Sequence, residues 1–109
     1  MKKNIVVGIT GSIAAYKSCE IVRELKKRGW NVKVIMSENA TKFITPLTLE
    51  VLSQNKVYIG MFKRENYEEN HISLSEFASI ILIAPATANI IGKLASGICD
   101  DLLTCTVFA

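Results

Sequence analysis

Asn4-Ile5-Val6-Val7-Gly8-Ile9-Thr10-Gly11-Ser12-Ile13-Ala14-Ala15-Tyr16-Lys17 is an apolar run that meets glycine and serine and then passes into a helical pattern. It reads as strand, tight loop, helix. Ile5, Val6, Val7 and Ile9 form the short continuous apolar run that a parallel strand needs when helices cover both of its faces. Gly8 and Gly11 then allow a sharp turn and a close backbone approach to a ligand. Ser12 is placed to cap the helix that follows, whose first N–H groups and positive dipole end suit an anion such as a phosphate.

Outward from this stretch, the spacing predicts a helix over 13–28, with Ala14, Ser18, Ile21, Val22 and Leu25 on its buried stripe and Gly29 as a left-handed C-cap. A second strand follows over 31–36, apolar at Val32, Val34, Ile35 and Met36. Strand, helix and strand within so short a span make a right-handed parallel crossover. Ser37 and Asn39 then fall at the end of the second strand, the ligand-facing edge of an open parallel sheet. A short helix over 38–43 is expected, and another from Pro46, with Thr45 as its cap and Leu47, Leu49, Val51 and Leu52 turned inward. Val57, Tyr58 and Ile59 read as a short extended piece, residues 63–70 as an exposed polar loop and residues 73–77 as one helical turn.

The clearest strand spans 79–84 and leads into Pro85-Ala86-Thr87-Ala88-Asn89. A helix over 88–95 closed by Gly97 is expected next, then a last one over 100–107 with Asp100 and Asp101 at its positive end. Three parallel strands are few for a doubly wound sheet, and Val107-Phe108-Ala109 is apolar to the last residue. The chain is therefore expected to be one domain, 1–109, lacking its C-terminal part.

Half of the 109 residues are hydrophobic, a high share for a small domain, so apolar surface buried against other subunits is expected. No window reaches the roughly 18 apolar residues of a membrane helix. Lys2-Lys3 followed by a strand pattern is not a signal peptide, and a cytoplasmic protein is expected. The net charge of +3 is spread among acids rather than clustered, which disfavours nucleic acid as a partner. Cys19, Cys99 and Cys105 are an odd count, which argues against a disulfide framework in that compartment. Cys99 and Cys105 read as small buried helix residues rather than nucleophiles, and with His71 far upstream they make no zinc site, so no metal is expected.

A glycine loop after a strand opens many α/β domains that bind no nucleotide. Here Gly8-x-x-Gly11 has no third glycine, strand two ends in Met36-Ser37 with Glu38 one residue late, and the lysine and hydroxyl of a P-loop are missing. NAD and ATP are disfavoured, and flavin mononucleotide (FMN) or another single-phosphate ligand fits better. Read alone, His71 is more often a solvated or capping residue, and Ser12 and Asn89 are plain caps. Tyr16 and Phe43 read as packing residues rather than flavin-stacking ones.

Gly11-Ser12-Ile13-Ala14-Ala15-Tyr16-Lys17, Ser37-x-x-Ala40 with Phe43-Ile44-Thr45-Pro46-Leu47, His71-Ile72, Ala84-Pro85-Ala86-Thr87-Ala88-Asn89 and Gly97-x-x-Asp100-Asp101-Leu102-Leu103 together resemble the homo-oligomeric flavin-containing cysteine decarboxylases. The resemblance runs over the whole chain, and several motifs in order are far more specific than any one. It implies a three-layer α/β/α Rossmann-like (flavodoxin-like) parallel sheet. It also implies FMN as cofactor, met by Gly11, Ser12 and Ile13, by Ser37 and Asn39, and on its phosphate side by Thr87, Ala88, Asn89 and Ile90. His71 matches the family's catalytic histidine.

The implied reaction converts 4′-phosphopantothenoylcysteine to 4′-phosphopantetheine in coenzyme A biosynthesis: the cysteine end is oxidised by the flavin, loses carbon dioxide and is reduced again by the same flavin. Implied partners are this substrate, further copies of the chain in a trimer or a multiple of trimers, and a fused or separate ligase domain. The family's proline-alanine-methionine-asparagine motif and its flap cysteine find no match in these residues. Flavin prenyltransferase, peptidyl-cysteine decarboxylase and a non-catalytic FMN-binding regulatory subunit are the alternative readings.

Overall fold

The computed structural model describes residues 3–59 and 67–109, the latter with side chains from residue 72 onward. β1 (Asn4–Ile9) lies inside the sheet, paired in parallel with β2 (Asn31–Met36) on one side and β4 (Ile80–Ile83) on the other. β3 (Val57–Ile59) pairs in parallel with β2, giving the order β3-β2-β1-β4. Side chains alternate across a strand, so β1 feeds two separate cores. Ile5, Val7 and Ile9 join Val32, Val34 and Met36 of β2 beneath Ala15, Val22 and Leu49. Val6 and Ile35 point the other way, against Leu74, Ile90, Leu102 and Leu103. With α1 (Lys17–Lys27) and α2 (Pro46–Ser53) on the first face, and α3 (Tyr67–Phe77), α4 (Ala88–Ala95) and α5 (Leu102–Phe108) on the second, this is the expected three-layer parallel α/β/α fold.

The sheet has four strands among the described residues where three were counted from sequence. β3 supplies the fourth, and its three residues are too few to display a period. The helix expected over 13–28 is two pieces, a 3-10 turn at Ile13–Tyr16 and then α1. Its fully buried residues are Ala15, Ser18 and Val22, because the tighter turn rotates Ala15 rather than Ala14 onto the sheet. Gly29, at φ +86°, ends α1 as expected: its N–H reaches the Lys26 carbonyl and the Trp30 N–H reaches that of Leu25. The short helix expected near 38–43 is a 3-10 turn, Asn39–Lys42.

In α2 only Leu49 and Ser53 are fully buried; Leu47 and Val51 are 66% and 68% exposed, contrary to expectation. An eight-residue helix lying on α1 and the sheet has one inner side, and Leu47 and Val51, one turn apart, share the outer one. Residues 67–70, expected in a polar loop, form the first turn of α3, which is anchored further along by Leu74 and Phe77. Residues 63–66 of that expected loop lie outside the described residues. α5 starts two residues later than expected because Asp101 is its N-cap.

Candidate functional site

Parallel strands end on one side of a sheet, so the loops after β1, β2 and β4 gather there. The Ser37 N–H donates to the Ile9 carbonyl at 2.9 Å and the Ala84 N–H to the Gly8 carbonyl at 2.9 Å, tying both neighbouring loops to the end of β1. A cleft of about 510 Å³ opens on this edge, at the kind of place where open α/β sheets take ligands, and within the roughly 300–1,000 Å³ of small-ligand sites.

Gly11 is on the cleft wall. A Cβ there would stand 2.5 Å from Asn39 Cβ and 3.0 Å from the Asn39 carbonyl carbon, so the loops after β1 and β2 meet only because residue 11 has no side chain. Gly8 has another task than the turn expected of it. It lies inside β1, where a Cβ would come within 2.6 Å of Leu103 Cδ1, and so admits α5 to the sheet rather than a ligand to the loop. Ser12 Oγ accepts the Ala14 N–H at 3.2 Å, capping the 3-10 turn, and Ser37 Oγ, one residue ahead of the N-cap Glu38, accepts the Ala40 N–H at 3.2 Å.

Across the cleft, Thr87 caps α4: its Oγ1 accepts the Ile90 N–H at 3.3 Å. Asn89, read as a possible cap, is a residue of α4 itself, because its backbone is already helical. The helix offers no internal acceptor to its first amides, so those of Ala88 and Asn89 are the natural donors to an anion there. Thr10, absent from the sequence-predicted site, holds this side in place. It is buried, its hydroxyl donates to the Pro85 carbonyl, and its Oγ1 accepts the Thr87 N–H at 3.1 Å. The Ala84-Pro85 peptide bond is cis, and Ser18 Oγ donates to the Ala84 carbonyl at 2.9 Å, locking α1 to the same loop.

Of the expected site residues, Gly11, Ser37, Asn39, Thr87, Asn89 and Ile90 line the cleft. Ser12 and Ala88 adjoin lining residues in the chain without themselves forming the wall, and Ile13, two residues beyond Gly11, is 79% exposed and outside it. Residue 71 lies on α3, and the side chain of His71 is outside the described residues. Glu38, Lys93, Asp100 and Asp101 complete the wall, and sequence reasoning missed them as site residues. Lys93 Nζ meets Asp100 Oδ2 at 3.0 Å and Oδ1 at 3.2 Å, a pairing across seven positions that only the close approach of α4 and α5 creates. Asp101 Oδ1 accepts from the Thr104 N–H at 2.8 Å and from Thr104 Oγ1 at 2.7 Å. With Lys93 engaged by Asp100, backbone amides at the start of α4 are the available anion donors. The signal for Thr10 was present in the sequence: a hydroxyl directly between the apolar strand and Gly11.

Cys99 and Cys105 correct the expectation of two buried helix residues. Cys99 is exposed and precedes α5, Cys105 is buried within it, and a disulfide joins them with S–S 2.02 Å and Cα–Cα 4.8 Å. The odd count, read as arguing against a disulfide framework, is corrected by this local pair, which the bend before α5 brings together and which leaves Cys19 as the odd thiol. Cys19 is a free thiol in α1, and burial pushes its pKa above the usual thiol range. Tyr16 and Phe43, read as packing residues, are 57% and 51% exposed. Among the described residues no group of three or more His, Cys, Asp or Glu could hold a metal ion, and no helix is long and apolar enough to cross a membrane.

A family model described as Flavoprotein matches residues 1–109. The coenzyme A biosynthesis bifunctional protein CoaBC of Borreliella burgdorferi is 52% identical over 107 residues, covering 98% of this chain and 27% of that protein. A probable phosphopantothenoylcysteine decarboxylase of Streptococcus mutans is 43% identical over 110 residues, covering 100% of this chain and 62% of that protein. Among solved structures, the peptidyl-cysteine decarboxylase EpiD superposes with a TM-score of 0.82 at 31% identity, over 99% of this chain and 64% of its own. The chain thus spans between about a quarter and two thirds of the length of these relatives.

Proposed function

The chain belongs to the Flavoprotein family, and from that premise we propose that it binds FMN in the cleft and serves the decarboxylation of 4′-phosphopantothenoylcysteine to 4′-phosphopantetheine in coenzyme A biosynthesis. The observation that carries this reading is the cleft: a glycine loop, two hydroxyl-bearing loops and a capped helix start converge on one edge of the sheet. The names of the relatives from Borreliella burgdorferi and Streptococcus mutans support the substrate. FMN has one phosphate, a chain of hydroxyls and a flat ring, and the residues present fit those needs. Thr87, Ala88, Asn89 and Ile90, at the start of α4, would hold the phosphate side, with the backbone amides of Ala88 and Asn89 as the donors because those of Thr87 and Ile90 are already bonded. Gly11, Ser12 and Ile13 would lie along the cofactor, and Ser37 and Asn39 would meet it from the end of β2.

Bound FMN supplies the electron sink that loss of carbon dioxide requires and that side chains lack. His71, carried on α3, is the proposed catalytic residue: an imidazole that changes charge near neutral pH can move a proton at the substrate or orient its carboxylate. Thr10 would act at one remove, keeping the Pro85-to-Thr87 loop where the phosphate side needs it.

The same reading makes the working form a homo-oligomer, a trimer or a multiple of trimers, in the cytoplasm. Tyr16, Phe43, Leu47 and Val51, exposed on elements of one side, support burial against further copies. The bifunctional relative, of which the chain spans 27%, supports a fused or separate ligase domain as partner. A second reading, decarboxylation of a C-terminal peptide cysteine, is favoured by the likeness to EpiD, but the curated relatives at 43% and 52% identity outweigh its 31%.

The test is an absorbance spectrum of the chain after mixing with FMN and removing free flavin, followed by carbon dioxide release from phosphopantothenoylcysteine. A retained flavin spectrum, lost in Ala88→Pro, which removes an amide at a first helical position that tolerates proline, and release that falls by about a hundredfold or more in His71→Asn are expected. A protein that emerges colourless overturns the reading.

A further inference from the structure

The Cys99–Cys105 disulfide closes a loop that contains Asp100 and Asp101, two residues of the cleft wall. Three features set it apart from a structural staple. Its two ends differ in access, Cys99 exposed ahead of the helix and Cys105 buried within it. The loop is short, with a sequence separation of 6, and cross-links over short loops restrict the unfolded chain least. The start of α5 also has a second fastening: the Asp100 and Asp101 N–H groups donate to Thr104 Oγ1 at 3.1 and 3.2 Å, and Asp101 caps the helix in return. The helix therefore keeps its start when the disulfide opens, while residues 98–100 lose their covalent tie.

We infer that Cys99 and Cys105 form a thiol–disulfide exchange site that sets how firmly the Asp100 wall of the cleft is held. An external dithiol attacks the exposed Cys99 sulfur through its thiolate, forming a mixed disulfide and releasing Cys105 as a thiolate that takes up a proton. The second thiol of the dithiol displaces Cys99, which is protonated in turn. The protein gains two electrons and two protons, and the dithiol leaves as its own disulfide; a small-molecule disulfide drives the reverse. In the open form Asp100 is positioned by the Lys93 pair, whose Asp100 side chain is 49% exposed, and by its backbone bond to Thr104. An ion pair so open to water is a weak tie.

The test treats the chain with glutathione disulfide, or with dithiothreitol, and counts alkylatable thiols after acid quench and unfolding. One thiol, Cys19, is expected in the oxidised chain and three after reduction; three in both would overturn the pairing. Amide exchange in the peptide over 96–104 should speed up about fivefold or more on reduction while that over β2 is unchanged, and the double variant Cys99→Ser/Cys105→Ser should show the fast rate with or without reductant. Equal rates in the two redox states would overturn the control of the cleft wall.

One further arm rests on the flavin reading: FMN should bind about fivefold more weakly to the reduced chain, the low end of ordinary coupling between sites. Equal affinities would count against the coupling, whereas no FMN binding in either form would count against the flavin reading and leave the thiol count and exchange rates to judge the disulfide.

Discussion

Gly11→Ala puts the close approach of two loops to a quantitative test. The added methyl would sit 2.5 Å from Asn39 Cβ and 3.0 Å from its carbonyl carbon, where unstrained carbons keep about 3.5–4.0 Å. The loops after β1 and β2 must therefore part by about 1 Å, and because the obstacle includes backbone, no rotamer change relieves it. Overpacking of this kind costs about 1–3 kcal/mol, and the stiffer unfolded chain of alanine returns about 0.4–1 kcal/mol. The net is about 1–2 kcal/mol. At about 4–8 °C per kcal/mol for a domain near this size, Tm should fall by about 5–15 °C in a thermal melt followed by circular dichroism.

The parted loops form one wall of the cleft, so FMN affinity should fall with stability; each loss of about 1.4 kcal/mol in contacts weakens Kd tenfold. Gly29→Ala is the control, since Gly29 has φ +86° and nothing within 4 Å of its Cβ position. It should cost about 1–2 kcal/mol through backbone strain alone and leave FMN affinity unchanged. If Gly11→Ala melts within about 1 °C of the parent and binds FMN equally well, the argument from the Asn39 contact is refuted.

Thr10→Val keeps the shape but removes a donor to the Pro85 carbonyl and an acceptor for the Thr87 N–H; urea unfolding should show a loss of about 2 kcal/mol or more, largely recovered in Thr10→Ser. Asp101→Ala should lower stability by about 1 kcal/mol in the same assay, by loss of the α5 cap, and a midpoint unchanged from the parent would show that the disulfide alone holds the helix start. Burial raises the Cys19 pKa, so its alkylation should stay slow through the usual thiol range and accelerate only above it. By linkage, the neutral folded thiol contributes stability that is fully present below the unfolded-state pKa and is lost as pH rises through the folded one; denaturation midpoints of parent and Cys19→Ala compared across alkaline pH would read this difference.

Elements with a long enough period were legible in the chain. β1, β2, β4 and α4 stand where apolar runs and flanking glycines place them, because buried parallel strands need continuous apolar residues; the cap of α4 is Thr87 rather than the Asn89 read from sequence. β3 was legible as a short extended piece but not as a paired strand of the sheet, since three residues show no period, and the first turn of α3 was not legible, since Tyr67-Glu68-Glu69-Asn70 shows no apolar stripe. The inward reading of Leu47 and Val51 failed for a related cause: hydrophobicity marks a residue that can be buried, and the packing of α2 chooses which ones are.

The order of residues by itself determined the layered α/β architecture and the edge of the sheet that carries the site, since alternation along β1 and the loops at the strand ends are local properties of the chain. Only the tertiary structure decided that Gly8 serves the packing of Leu103 while Gly11 serves the cleft, that Thr10 binds the Pro85 and Thr87 backbone, and that Lys93 faces Asp100. Each of these depends on the distance between segments that no local pattern encodes: the approach of α5 to the sheet, of one strand-end loop to another, and of two helices across seven residues. Contact at such range is set by how the two cores on either side of β1 fill, and that is a property of the whole packed domain.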